Sequence, residues 1–388
     1  MSLQSRREYL ERIRGRYERG GRLHKTKILD EFCFNCGYHR KHAVRLLTQR
    51  PKRRGRPGPR RKYAEAAVLL LKEFWLSSDQ MCSRRLKEAA PDWLPFFKAS
   101  LAARQEVAAM SPATMDRLLA PSRARLGRKR RSGTKPGSLL KKHIPIRTGN
   151  NDIDRVGYLE ADTVAHCGSS MAGDFAWTLT FTDIQSGWTQ CRAIWNKAHH
   201  GIHQHLQAAE EQSPFRWLAF DCDNGSEFLN YALWDHYAKR ERPVQFTRSR
   251  PYHKNDNAHV EQKNWSAVRQ LLGYERLDNP EVIALLNDLY ENEWHWYVNY
   301  FCPTFKLLEK KKVGCKYVKR YEKPRTPTPY ARLLESAEVT AAHKENLRAI
   351  RSGLDPVNLR RRIEQKLRRI FTLNKPECLR VATAGAPS

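Results

Sequence analysis

The chain has 388 residues, with 71 Lys and Arg against 41 Asp and Glu and a formal net charge of +30. One core usually organises fewer residues than this, so two or three domains are expected, and the charge points to a polyanionic partner, nucleic acid first and an anionic membrane surface second. No apolar run approaches the roughly 18 residues that span a bilayer, and the opening MSLQSRREYLERIRGRY lacks the apolar stretch of a secretory signal. With nine scattered cysteines, an odd number that fits free thiols in a reducing compartment, a soluble cytoplasmic protein with no membrane partner is expected.

The segment HKTKILDEFCFNCGYHRKHAVRLLTQ carries apolar Ile28, Leu29, Phe32 and Cys33, breaks at Asn35 to Gly37, and resumes with Ala43, Val44, Leu46 and Leu47. Helix, short Gly-containing turn and helix outline a helix-turn-helix reader over residues 1–50. Arg40, Lys41 and Arg45 on its second helix suit phosphates and base edges; a helical hairpin with a solvated basic face is the alternative. Cys33, Cys36, His39 and His42 also gather here, but a ligand group every three residues leaves almost no loop between pairs for a zinc site. The linker PKRRGRPGPRRK, residues 51–62, is too rich in Pro and Gly for helix or strand. Around Arg54 and Arg56 it resembles the AT-hook, whose extended backbone enters a narrow A·T-rich minor groove.

A second helix-turn-helix unit is expected over residues 63–122. YAEAAVLLLKEFWLSSDQMCSRRLKEAAPDWLPFF breaks at Ser77 to Asp79, and MSPATMDRLLAPSRARLG follows with Ser111 as a cap and Pro112 in the first turn. Thr114, Met115 and Arg117 are the groove-facing candidates of that last helix. A basic linker over 123–150 marks the next boundary.

From Gly157 the pattern becomes strand-like. VGYLEADTVAH, DFAWTLTFTDIQSG and WTQCRAIW read as three strands, the helix AHHGIHQHLQAAEEQ leads to the strand FRWLAFDCD, and SEFLNYALWDHYAKR leads to the strand PVQFTR. Three antiparallel strands followed by strands alternating with helices predict an α/β class core, a mixed five-stranded sheet covered by helices, over 151–275. Residues 276–388 form a helical and basic extension. VIALLNDLYENEWHWYVNYFCP is its first helix, KLLEKKKVGCKYVKRYEKPRTPTPY an extended basic segment, and LDPVNLRRRIEQKLRRIF a helix capped by Asp355 whose basic face suits phosphates, another subunit or solvent.

Acidic residues collect at the strand ends of this basic chain, where active groups of open α/β sheets gather. Asp162 ends the first strand, Asp223 the fourth, and Glu261 sits on a helix that follows the fifth, with Asn257 and Trp265 four residues to either side on its face. Three such carboxylates could hold a pair of divalent ions about 4 Å apart, the arrangement that activates a water or a 3′-hydroxyl at a phosphodiester. Hard oxygen ligands favour Mg²⁺, with Mn²⁺ able to substitute. Glu160 and Asp221, two residues before the two aspartates, share their faces and compete for the ligand role.

The motifs EADTVAH, DCDNGSEF, HKNDNAHVEQKN and PRTPTPYARLL resemble the DDE transposases of bacterial insertion sequences and the related retroviral-type integrases, over roughly Asp152 to Leu334. The resemblance implies an RNase H-like core and the triad Asp162, Asp223 and Glu261, with Asp223 rather than Asp221 at the Asp-Asn-Gly position. It also implies double-stranded DNA partners, the terminal inverted repeats of a mobile element and a target, and a nucleoid-associated bacterial setting. Lys254, Asn257 and Lys263 then become contacts to the DNA end. Joining two ends in concert calls for a homo-oligomer. A DNA-binding regulator without catalysis, and a metal nuclease that cuts without joining, are the alternatives.

Overall fold

The computed structural model describes residues 1–49, 62–125, 153, 155–196, 199–222, 231–248, 258–313, 316–321 and 326–374. The chain divides into two compact units, Met1–Lys62 and Tyr63–Ser388.

The first unit is built on α1 (Leu3–Arg19), α2 (Arg22–Cys36) and α3 (Arg40–Thr48). Ile13, Ile28, Leu29, Phe32, Cys36, Ala43 and Leu47 form its core. Here α2 runs through Asn35 to Cys36 and stops at Gly37, whose φ of 64° is the left-handed cap that glycine adopts without a Cβ penalty. Cys36 is therefore a core residue, and its burial pushes the thiol pKa up.

The second unit begins with α4 (Glu65–Ser77), α5 (Ser83–Trp93), α6 (Leu101–Ala109) and α7 (Pro112–Arg125). Ser111 caps α7 by accepting from the Thr114 amide at 3.3 Å. Residues 63–122 are not a free-standing reader: their core is continuous with that of the sheet that follows. Trp93, fully buried, donates Nε1–H to the Phe301 carbonyl at 3.1 Å and meets Phe74, Tyr297 and Phe301 edge to face or tilted.

The sheet contains β1 (Tyr158–Ala165), β2 (Ala176–Asp183), β3 (Thr189–Trp195), β4 (Ala219–Cys222) and β5 (Gln245–Arg248), with α8 (His199–Glu211) and α9 (Tyr231–Ala238) between the later strands. The order is β3-β2-β1-β4-β5, with β1–β2 and β2–β3 antiparallel and β1–β4 and β4–β5 parallel. The first three strands are joined by short connections, and each parallel step uses a helical crossover. This is the RNase H-like mixed sheet expected from the sequence. One face is an aromatic core, with Trp217, Phe220, Tyr237 and Phe246 stacked or tilted on one another. The opposite face carries Glu160, Asp162 and the threonines 178, 180 and 182, and receives the segments after β5: α10 (Ala258–Lys263), a π-turn over Asn264–Arg269, α11 (Gln270–Leu272), α12 (Val282–Leu289), a second π-turn over Tyr290–Trp294, and α13 (His295–Tyr300).

The outer edge of β3 is closed by two side chains. The Asn299 amide accepts from Thr189 N–H at 2.8 Å and donates to its carbonyl at 2.8 Å; the Asn287 amide does the same for Ala193 at 2.7 and 2.9 Å. Each asparagine replaces one residue of a missing sixth strand.

Two C-terminal expectations change. The basic segment expected to be extended forms an antiparallel hairpin, β6 (Leu307–Val313) with β7 (Lys316–Tyr321). After α14 (Pro329–Glu335) and α15 (Ala341–Ser352), the helix capped by Asp355 is α16 (Pro356–Leu373). It packs on its own unit through Leu359, Ile363 and Ile370, and its cations serve internal carboxylates: Lys366 and Arg362 bind buried Glu293 at 2.5 and 2.6 Å, and Arg360 meets Asp79 at 3.3 Å.

Candidate active site

The parallel register sets Glu160 beside Asp221 and Ala161 beside Cys222; β1 runs on to Ala165, so Asp162, expected to end the first strand, lies within it, and the acidic middle of β1 stands beside the end of β4. Glu160 and Asp221 are both fully buried. Glu160 Oε2 accepts from Val260 N–H at 2.9 Å, at the start of α10, and Asp221 Oδ1 accepts from Thr247 Oγ at 2.7 Å on β5. These two carboxylates therefore tie elements together, the supporting part that outer carboxylates play around oxygen-ligand sites.

Asp162 is half-buried at the outer part of β1. Its Oδ1 accepts from Thr163 N–H at 2.7 Å, and its Oδ2 accepts from the Asn264 amide at 2.6 Å. Glu261 is exposed on α10, between Val260 and Asn264. The helix bearing Glu261 is thus fastened on both sides of it, by Val260 to Glu160 and by Asn264 to Asp162. The π-turn begins at Asn264, and such turns concentrate where helices serve a function. Asn264 Oδ1 is buried with no hydrogen-bond partner among the described residues. A buried, unsatisfied hard oxygen beside a carboxylate is the donor chemistry that suits a hydrated Mg²⁺ or Mn²⁺. Among the described residues no group of three His, Cys, Asp or Glu could hold one metal ion. Asp223, which follows Cys222 directly, lies outside the described residues, as do Lys254, Asn257, Arg54 and Arg56.

The other candidates divide. Arg40, Lys41 and Arg45 are all exposed on α3, Arg40 in an ion pair with Asp30 and Arg45 beside His42. Thr114 is half-buried and accepts from exposed Arg117 at 3.2 Å, whereas Met115 is a core residue with no groove-facing surface. The Lys263 ammonium enters a cleft on the other side of the helix from Glu261 and donates to the Gly187 carbonyl at 2.9 Å. Burial and the guanidiniums of Arg85 and Arg332 push its pKa down to about 7. Asp183 holds backbone, accepting from Gly157 N–H at 2.8 Å and from both donors of Ser186. The sequence reading missed Asn264, although its place three residues after Glu261 on a helix was the signal for a shared face.

Comparison with known proteins adds a relative. The uncharacterized protein y4rM of Sinorhizobium fredii is 40% identical over 341 residues, covering 84% of this chain and 95% of y4rM. This chain belongs to the y4rM family. No family model matches the sequence. Among solved structures, the HTLV-2 integrase catalytic core domain in complex with magnesium is 16% identical, covering 39% of this chain and 91% of that chain at a TM-score of 0.27. The BIV integrase catalytic core domain is 14% identical, covering 46% and 94% at a TM-score of 0.29. The RNase H-like fold rests on the strand order and directions.

Proposed function

We propose that this member of the y4rM family is a DDE-type transposase. It binds the terminal inverted repeats of a mobile element, cleaves the 3′ ends and joins them to target DNA. The observation that carries this reading is the fastening of the Glu261 helix to Asp162, on a strand whose parallel neighbour runs directly into Asp223. Asp162, Asp223 and Glu261 would hold Mg²⁺, or Mn²⁺ in its place, and the ions supply Lewis-acid stabilisation of the attacking and departing oxygens.

The chain's own groups do the rest. Glu160 and Asp221 keep the strand ends and α10 in register, and Asn264 orients Asp162. The net charge of +30 favours DNA, with exposed Arg40, Lys41 and Arg45 of α3 as contacts to the element's ends. The AT-hook-like arginines Arg54 and Arg56 are proposed for the minor groove, Thr114 and Arg117 for a further contact, and Lys254 and Asn257 for the DNA end. A homo-oligomer would bring two ends together.

The test is a strand-transfer assay with purified protein, a labelled terminal repeat, a supercoiled target and Mg²⁺, run beside Asp223→Asn. Joined product that disappears in the variant while DNA binding persists supports the transposase. Nicked but never joined DNA makes the protein a nuclease, and bound, uncut DNA in Mg²⁺ and Mn²⁺ makes it a regulator.

A further inference from the structure

We propose that the cleft between α5, the β2–β3 turn and the inner side of the Glu261 helix is a binding site for a phosphate group. The cleft holds about 250 Å³. Among the described residues Arg85, Lys263, Lys306 and Arg332 line it together with one carboxylate, Asp79, which is itself paired with Arg360.

Two of the cations, Lys263 and Arg332, converge on a single stretch of backbone. Lys263 Nζ donates to Gly187 O at 2.9 Å and Arg332 Nη1 donates to Ser186 O at 3.2 Å, on adjacent carbonyls of the β2–β3 turn. A Cβ placed on Gly187 would stand 3.8 Å from Arg332 Nη1 and 3.9 Å from Lys263 Nζ. The lack of a side chain at this left-handed position, with φ of 73°, therefore keeps the space beside both cations open. Arg85 arrives from α5 and is held by the Pro303 carbonyl at 2.5 Å.

Carbonyls orient Arg85 and Lys263 without neutralising them. Gathering like charges in a recess is costly in the absence of an anion. A phosphate, with several acceptor oxygens and a double charge, meets guanidinium and ammonium donors together better than a carboxylate or chloride does. This site uses no metal and no strand cleavage, so it stands or falls apart from the transposase reading.

The probe is sodium pyrophosphate, titrated calorimetrically into the full chain at constant ionic strength against matched chloride. Saturable binding is expected, weakened tenfold or more in Lys263→Gln and in Arg85→Gln, and unchanged in Arg12→Gln, exposed on α1 of the other unit. A second measurement covers variants that fail to fold: pyrophosphate should protect Lys263 of the wild-type chain from acylation, read by peptide mass spectrometry. Absence of saturable binding beyond chloride, wild-type affinity in both folded cleft variants, or acylation of Lys263 unaffected by pyrophosphate would each overturn the proposal. A short DNA duplex added in competition separates the sources: displacement of pyrophosphate supports the site as one for backbone phosphate, and persistence supports it as one for a free phosphate compound.

Discussion

Lowering the pH from 7 to 5 should destabilise this protein through His166, four residues beyond Asp162 on the way out of β1. The ring is buried, with Nε2 2.8 Å from the Thr178 hydroxyl and Nδ1 without a hydrogen-bond partner. Burial, aided by the Arg269 charge, pushes its pKa down to about 3 from an ordinary 6.5. The folded chain thus keeps the ring neutral while the unfolded chain protonates it. The neutral ring's contribution is complete above pH 6.5 and falls away as pH drops toward 3, where the folded ring itself takes the proton. Between pH 7 and pH 5 the linkage amounts to about 2 kcal/mol, a figure that hardly changes for any folded-state value below about 4. Urea unfolding of wild type and His166→Gln at both pH values isolates it. Gln keeps a polar end for Thr178 and does not titrate. His295, whose pKa burial also depresses, and Asp183, whose raised pKa acts in the opposite sense, are common to both proteins and cancel. The variant should lose about 2 kcal/mol less than wild type on acidification. Equal losses in the two proteins would refute the assignment of a neutral, buried His166.

Further predictions concern the site and its supports. Asn264→Ala removes the amide from Asp162 and should weaken Mn²⁺ binding, followed by electron paramagnetic resonance, by about 10- to 100-fold while leaving the unfolding midpoint near wild type; unchanged affinity would leave Asn264 no positioning role. Trp93→Ala should cost about 3–5 kcal/mol of the second unit's stability in denaturant, since a fully buried indole and its bond to Phe301 are lost together. Arg45→Ala should weaken DNA binding at low salt and lower the salt slope by about one, as expected for one lost phosphate contact; an unaltered slope would remove α3 from the interface.

What the sequence could and could not disclose follows from the range of the interactions. The five strands and the helices between them were legible because each carries its own period, and Gly37 and Asp355 end or begin helices through neighbours a few residues away. Asp162 and Glu261 were legible as acids on a strand and a helix, although β1 runs three residues past Asp162; the part of Glu160 was not legible, because Val260 is brought to it only by folding. Lys263 was expected beside DNA on the strength of its nearness to Glu261. Two residues along a helix change the face, and the lysine enters the cleft instead. The β6–β7 hairpin was read as merely extended, although two runs of strand-forming residues separated by Gly314 and Cys315 are a hairpin signal. The basic face of α16 gave no hint of its partners, since Glu293 and Asp288, both bound by Lys366, belong to a distant stretch of chain and a charge pattern does not name what it will meet.

The asparagine pairs on β3 bear on which surface is closed to pairing with a copy of the chain. An uncovered edge strand offers a ready template for another chain. Asn287 and Asn299 occupy those positions with side chains that cannot propagate a ladder, so the sheet stops at five strands. Replacing both by leucine would keep much of the apolar packing of α12 and α13 yet return Thr189 and Ala193 to the market for a sixth strand, and the nearest supply of one is a second molecule. Self-association through β3, rather than loss of the fold, is then the characteristic failure of such a variant.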